Sequence, residues 1–457
     1  MIHKFNWHEL GLSLLILVST QASIHAQSAP EPSREKLLNG LDVLSWQRPG
    51  DPNIFFKLRI HSGAAFDLAG KGGMMALLGD ALFQDSAIKE YVAEQLGGRL
   101  EVTTTQDSID VTLSGKASEL ERMIDLLRGA LIAPQLGAEN VAAIRNAAIN
   151  SLSGNSSSAS VIADQTVALR LFGSFPYAHP PRGTSATLTK VDRGDLLWAR
   201  ERFLNADNAS LVVIGGFEKA RLMRALRQLL GPWAKGDKSV PATFRQPALP
   251  DSRVLAVAGS DSANAEIRLA VRGLSRSDQD QIAAMLLAPI IRYRWQAAVG
   301  DLSSISVRHE THLLPGIFVL GASAPIASAA KAVSAALEIT KSLAQNGPTT
   351  GELERARAEV LSDLAKRMNQ TDSIADSWLD AETFKSPSLN SMTVVRGLTV
   401  GDVKAVAVKI FKDAPMATVA VGNLDQLKTA FAGHIEIRPA APNEKTAVEP
   451  DIPIKKP

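Results

Sequence analysis

The chain contains no cysteine. That excludes disulfides, thiol nucleophiles and cysteine-based metal centres, and leaves packing alone to hold the fold. Aromatic residues make up 5% of the total, with three tyrosines, Tyr91, Tyr177 and Tyr293. Neither sign of charge dominates: 49 lysines and arginines against 47 aspartates and glutamates give a net charge of +2. No basic run is interleaved with aromatics, so nothing points to nucleic acid. Past the first residues there is no apolar span of about eighteen residues such as a membrane helix needs. What remains is 457 residues of ordinary globular composition, 45% hydrophobic and 21% charged, enough for two or more domains.

The first residues read as a targeting segment. Lys4 gives a small basic start, and Leu10 to Val18 ("LGLSLLILV") is an apolar core too short to span a bilayer. Small residues follow, with cleavage expected after Ala22 or Ala26. The competing reading is an uncleaved anchor. A cleaved leader makes the protein periplasmic or secreted, with no membrane contact afterwards.

The rest repeats itself. "GDLLWARERFLNADNASLVVIGGFE" from Gly194 matches "GDVKAVAVKIFKDAPMATVAVGNLD" from Gly401, with Gly215 against Gly422 and Glu218 against Asp425 at one constant offset. Each copy reads as amphipathic helix, polar turn, β-branched strand, glycine turn and helix. A tandem duplication follows: a leader at 1–26, a first domain at 27–234, a polar linker at 235–250, a second domain at 251–433, and a Pro-rich, disordered tail at 434–457. In the first half, strands ("LDVLSW", "NIFFKLRIHSG", "RLEVTTT", "SIDVTLSG") precede helices over Ala117–Leu131, Ala138–Leu152 and Ser160–Phe172. The second half follows the same order, with helices over Ser277–Arg292, Ala327–Gln345 and Thr350–Arg367. Strands followed by runs of helices argue an α+β fold: two tandem homologous domains, each a mainly antiparallel sheet with helices packed on one face.

One stretch, "GKGGMMALLGDALF" from Gly70 to Phe83, is a glycine turn followed by a helix apolar on nearly all sides. Taken alone it is a core helix, with Gly79 costing about 1 kcal/mol relative to alanine. With its neighbours it resembles the insulinase/pitrilysin-type zinc metallopeptidases, the inverzincins. The matching blocks are "LLNGLDVLSWQRP", "FKLRIHSGAAFDLAGKGGMMALLGDALF", "EQLGGRLEVTTTQDSIDVTLSGKASELERMIDLLRGALIAPQL" and "FGSFPYAHPPRGTSATLTKVDRGDLLWARERFLNADNASLVVIGGF". They cover most of Leu37 to Gly231, and the second half matches the family's second domain more weakly. In that family a helix bears H-x-x-E-H, whose two histidines bind zinc and whose glutamate activates the metal-bound water. A later glutamate is the third ligand.

Carried over, the first histidine falls on Ala76, the glutamate on Gly79, the second histidine on Asp80, and the distal glutamate on Ser151 or Asn150. Asp80 is the one ligand type left, and no base accompanies it. No H-x-x-E-H or H-E-x-x-H occurs elsewhere. "HETH" at His309 to His312 spaces its histidines by three on a strand, where they point to opposite faces and read as surface residues. His61 and His179 lack a partner at ligand spacing. The family's second domain also supplies an arginine and a tyrosine to the substrate. With Gly300 as anchor those positions fall on Gln296 and Ser303, and a small shift brings in Arg292 or Arg294 but no tyrosine.

The resemblance implies that substrate peptides add as a strand to a sheet edge, here Arg99, Leu100, Glu101, Val102 and Thr103 within "RLEVTTT"; by itself that stretch is an ordinary strand. The sequence therefore points first to a catalytically inactive member without zinc, acting as partner of a zinc-bearing paralogue. A stand-alone peptide-binding or scaffold protein is the second reading, and an active metallopeptidase using Asp80 with other ligands the third.

Overall fold

The computed structural model describes residues 31–155, 158–236, 244–245, 247–261, 263–385, 391–432 and 435–438. The leader and the tail beyond 438 lie outside the described residues, as does 237–243 of the linker.

The first half runs β1 (Ser33–Lys36), β2 (Asp42–Gln47), β3 (Asn53–Ile60), α1 (Met74–Leu82), α2 (Ser86–Glu94), β4 (Arg99–Thr104) and β5 (Ile109–Lys116). It continues through α3 (Leu120–Ile132), α4 (Ala138–Asn155), α5 (Ala159–Phe172), α6 (Ser185–Leu188), α7 (Arg193–Phe203), β6 (Ala209–Gly215) and α8 (Lys219–Leu229). The second half runs β7 (Val254–Ala258), β8 (Asn264–Arg272), α9 (Gln281–Ala284), α10 (Leu287–Ala298), β9 (Ser303–Glu310) and β10 (Ile317–Pro325). After these come α11 (Ala329–Asn346), α12 (Thr350–Met368), α13 (Thr371–Phe384), α14 (Ser391–Gly397), α15 (Val400–Phe411), β11 (Ala417–Gly422), α16 (Leu424–Ala430) and β12 (Ile435–Arg438). Residues 435–438, which composition places in the tail, are thus a strand.

Two six-stranded sheets result, β1-β2-β6-β3-β5-β4 and β12-β7-β11-β8-β10-β9; five strands correspond place for place, while the outermost, β1 and β12, come from opposite ends of their halves. Most pairs are antiparallel; β2–β6, β7–β11 and β7–β12 are parallel. The repeat glycines Gly215 and Gly422 end β6 and β11, and the helices before them both open with capping boxes, Asp192 with Asp195 and Thr399 with Asp402. The α+β duplication read from the sequence is what the chain forms. The helix expected over Ser277–Arg292 instead starts at Gln281, breaks, and runs on to Ala298. Pro289 accounts for the break, since it has no N–H to give and its ring crowds the carbonyl four residues earlier.

The second face of each sheet is closed by a helix from the other half. In β3, Ile54, Phe56, Leu58 and Ile60 point into the first core, while Phe55, Lys57 and Arg59 point the opposite way. That opposite face is covered by α13, whose Ile374, Ala375, Trp378 and Leu379 pack on Leu44, Phe55, Val212 and Ile214. Reciprocally, Ala163, Val167 and Leu171 of α5 pack on Ala270, Val319 and Val419 of the second sheet.

Each crossing is marked by a buried arginine. Arg59 pairs with Asp110 at 2.8 Å, and with Asp376 and Asp380 of α13 at 3.1 and 2.6 Å. Arg268, on the corresponding strand β8, meets Asp164 of α5 at 2.7 Å and the Ser160 hydroxyl at 2.7 Å. Lys57, 8% exposed, adds pairs to Asp372 and Asp376. Charges this deep persist only when paired, and losing one partner leaves the other stranded at a cost of about 3–5 kcal/mol.

Candidate functional site

The helix α1 is built to be buried. Gly73 caps it in the left-handed region (φ 92°), where an added Cβ would meet Leu188 Cδ2 at 2.6 Å. The free N–H groups of the first turn are satisfied by Asp67, whose carboxylate accepts from Gly73 at 2.6 Å and Met75 at 2.7 Å. Burial pushes that carboxyl up to about 7 against the pull of the two N–H bonds. The loop carrying "PPRGT" seats against this turn: Thr187 Oγ1 donates to Gly72 O at 2.8 Å, and Gly183 approaches the Gly72 carbonyl too closely for any side chain.

Ala76 is 2% exposed and Gly79 is buried. A Cβ on Gly79 would lie 2.8 Å from Thr104 Oγ1 and 3.2 Å from Ile109 Cγ2. A side chain at 79 would therefore force Thr104 to shift in the packing of α1 on β4 and β5. Asp80 faces outward and accepts from Arg182 at 2.7 Å. α4 packs against α1, with Val141, Ile144 and Ala148 in the shared core, while Ser151 and Asn150 are exposed. These positions do not fit a zinc ion: two carry no donor, the carboxylate is held by an arginine, and the room beside residue 79 is filled. Among the described residues no group of three His, Asp or Glu side chains is arranged to hold a metal.

The histidines have other tasks. His61 is half-buried beside the Ser210 hydroxyl at 3.1 Å, and desolvation, helped by Arg59, pushes it down to about 4. The surface reading is corrected for both His309 and His312. His309 packs on Phe318, its Nε2 accepts from Leu274 N–H at 2.9 Å, and burial pushes it down to about 4. His312 lies past the end of β9 and faces Asp107 of the first half at 3.3 Å. His179 receives the Gln106 side chain on its carbonyl, and burial lowers its ring.

Arg99 to Thr103 lie on β4, which terminates the first sheet and pairs with β5 alone. The N–H of Arg99 contacts Ser114 Oγ and that of Thr105 bonds Ser108 O, so odd-numbered residues turn their donors toward β5. By alternation Leu100, Val102 and Thr104 direct theirs to the open edge. In the second half, Gln296 is exposed and donates to Gly300 O at 3.4 Å, and Ser303 opens β9. Arg292 and Arg294 are bound to Glu359 and Glu352, each at 2.6 Å, and Tyr293 donates to Glu359 at 2.6 Å. These α10–α12 bonds tie the second half's helices together. Sequence reasoning missed the cavity of about 1080 Å³ between the halves, lined by Arg59 and Asp107 from the first and by β9, α12 and α13 from the second. Its walls meet only through long-range contacts, so no local signal announces it.

Helix α1 thus stands where the resemblance would place a metal-binding helix, without a ligand set of its own. Residues 190–360 match the family described as the peptidase M16 inactive domain. The fold resembles that of a peptidase M16 inactive domain from Pseudomonas fluorescens, at 20% identity and a TM-score of 0.76, covering 86% of this chain and 98% of that one. A protease from Helicobacter pylori gives 16% identity and a TM-score of 0.78, covering 86% of this chain and 100% of that one. A chain of complex III2 from Candida albicans gives 15% identity and 0.72, covering 88% and 100%. No curated protein matches by sequence. The family match over residues 190–360 and the shared fold agree with the resemblance read from the sequence, and the chain contains no H-x-x-E-H motif.

Proposed function

We propose that the protein is an exported, non-catalytic partner subunit of a zinc-bearing peptidase of the same fold, presenting an extended peptide along β4. One observation carries this reading: the space where the water-activating glutamate would stand is taken by Thr104, so the helix keeps its place in the fold without its chemistry. The exposed edge of β4 supports the peptide-holding part, because strand addition needs only backbone donors and acceptors. The leader read at residues 1–26 supports the exported part of this reading, a place in the periplasm or outside the cell. Among the described residues no helix is long and apolar enough to cross a membrane.

Affinity purification of the tagged chain from its own cells tests the assignment. The expected result is a stoichiometric, zinc-bearing paralogue and no metal or proteolysis in the isolated chain. A stable monomer that binds peptides without such a companion transfers the role to a stand-alone peptide-binding scaffold, which the same free edge favours. One tightly held zinc with peptide hydrolysis in the isolated chain overturns both.

A further inference from the structure

Two hairpin tips meet at one wall of the cavity between the halves. The β4–β5 turn, residues 105–108, faces the β9–β10 turn, residues 311–316. Asp107 Oδ2 accepts from the Leu313 N–H at 3.0 Å and lies 3.3 Å from His312 Nδ1. Its Oδ1 accepts from the Tyr177 hydroxyl at 2.8 Å, and that oxygen accepts from the Leu314 N–H at 3.1 Å. The His312 ring packs on Tyr177 with 4.5 Å between centroids. One carboxylate thus gathers two backbone donors and an imidazole of the second half, directly or through Tyr177.

The charged and titratable groups around the imidazole come from four places. Asp107 comes from the facing turn and Tyr177 from the short helix at 176–178. Arg276 follows β8, gives its N–H to the His312 carbonyl at 2.7 Å, and spends its guanidinium on Asp380 and Thr311. His309 lies on β9 and is kept neutral by burial. Burial works to raise Asp107, but the His312 and Tyr177 bonds outweigh it and hold the carboxyl below the usual carboxylate range. Asp107 is then ionised near neutrality, whereas a histidine changes charge between about pH 5 and 8. A charged ring gives Asp107 a charge-assisted hydrogen bond, roughly twice the strength of a neutral one.

We propose that Asp107, His312 and Tyr177 form a proton-operated latch that closes this wall of the cavity in acid and loosens it above neutrality. The crossed helices α5 and α13 stay seated, so the movement is confined to the two tips.

Hydrogen exchange of a peptide spanning residues 311–316 tests this in the full chain, after correction for intrinsic rates. Protection is expected to fall by about fivefold between acid and mildly alkaline buffer, the size of a typical coupling. His312→Gln should abolish that pH dependence. Tyr177→Phe should lower protection at both pH values and keep the slope. NMR titration of the His312 ring in the unmodified protein should coincide with the loss of protection. Protection independent of pH, a slope that survives His312→Gln, or a ring titration that does not track the exchange would overturn the proposal.

Discussion

Thr104 Oγ1 stands 2.8 Å from the point where a Cβ on Gly79 would be, so strand β4 reaches into helix α1 just where the family's glutamate side chain would begin. A Gly79→Ala change pits a helix-propensity gain of about 1 kcal/mol against overpacking of about 1–3 kcal/mol. Net destabilisation is expected, read as a lowered midpoint of thermal unfolding. Gly79→Ala combined with Thr104→Ala should recover most of it, because the collision is then gone.

The same contact governs any attempt to rebuild the metal site. Ala76→His, Gly79→Glu, Asp80→His and Ser151→Glu together should fail to take up zinc while Thr104 is present. Adding Thr104→Ala to that set should restore uptake, measured by elemental analysis after dialysis. Uptake by the fourfold variant with Thr104 in place would show that β4 yields more easily than its packing implies.

Arg59 and Arg268 make a third prediction. Each is at most 5% exposed and is paired with a helix of the opposite half. Arg59→Ala should cost about 3–5 kcal/mol in denaturant unfolding, because Asp110 is left buried without its cation, whereas Arg268→Ala should cost less, because Asp164 is over a third exposed and keeps Arg308. As each sheet is finished by the other half's helix, the whole chain should unfold in one transition. Residues 27–234 produced alone should expose apolar surface and bind a hydrophobic dye, and should regain order when α13 is supplied.

Acid should weaken the second half through His309. Its folded value, about 4, lies below the ordinary 6.5, so the neutral ring that accepts from Leu274 is the folded form. The stability this contributes is complete above about pH 6.5 and is lost as pH falls toward 4. The wild type should therefore lose more melting temperature over that window than His309→Gln, compared at matched buffers by calorimetry. Equal slopes would remove His309 from the acid response.

Peptide binding on β4 should depend on the open-edge donors. Val102→Pro removes a donor that faces away from β5 and should weaken binding of an extended peptide about tenfold or more, measured by fluorescence polarisation. Glu101→Pro breaks the ladder to β5 instead and should lower the melting temperature first. If Val102→Pro binds as the parent does, the peptide lies elsewhere.

Much of this architecture was legible in local pattern. The glycines at 194, 215, 401 and 422 gave the duplication, and the largely apolar run "NIFFKLRI" gave a strand. The same strand carried a clue that went unread: Lys57 and Arg59 sit in an apolar run, and two cations there need acidic cover from elsewhere. That cover is α13, whose narrow stripe of Ile374, Ala375, Trp378 and Leu379 in an acidic segment gave too weak a period to be read as a helix. The missing ligands were legible because they are identities at known positions. The reason for Gly79 was not, because Thr104 approaches it only through the tertiary fold.

The crossed helices also set an order of events. The outer face of the first sheet cannot be closed until residue 384 has been made and delivered, although its last strand ends at residue 215. Until then Leu44, Phe55, Val212 and Ile214 face water beside Lys57, whose aspartate partners lie on α13, and Arg59, which has Asp110 alone. A chain built this way matures from its far end, and a truncation in the second half is felt first as a defect of the first.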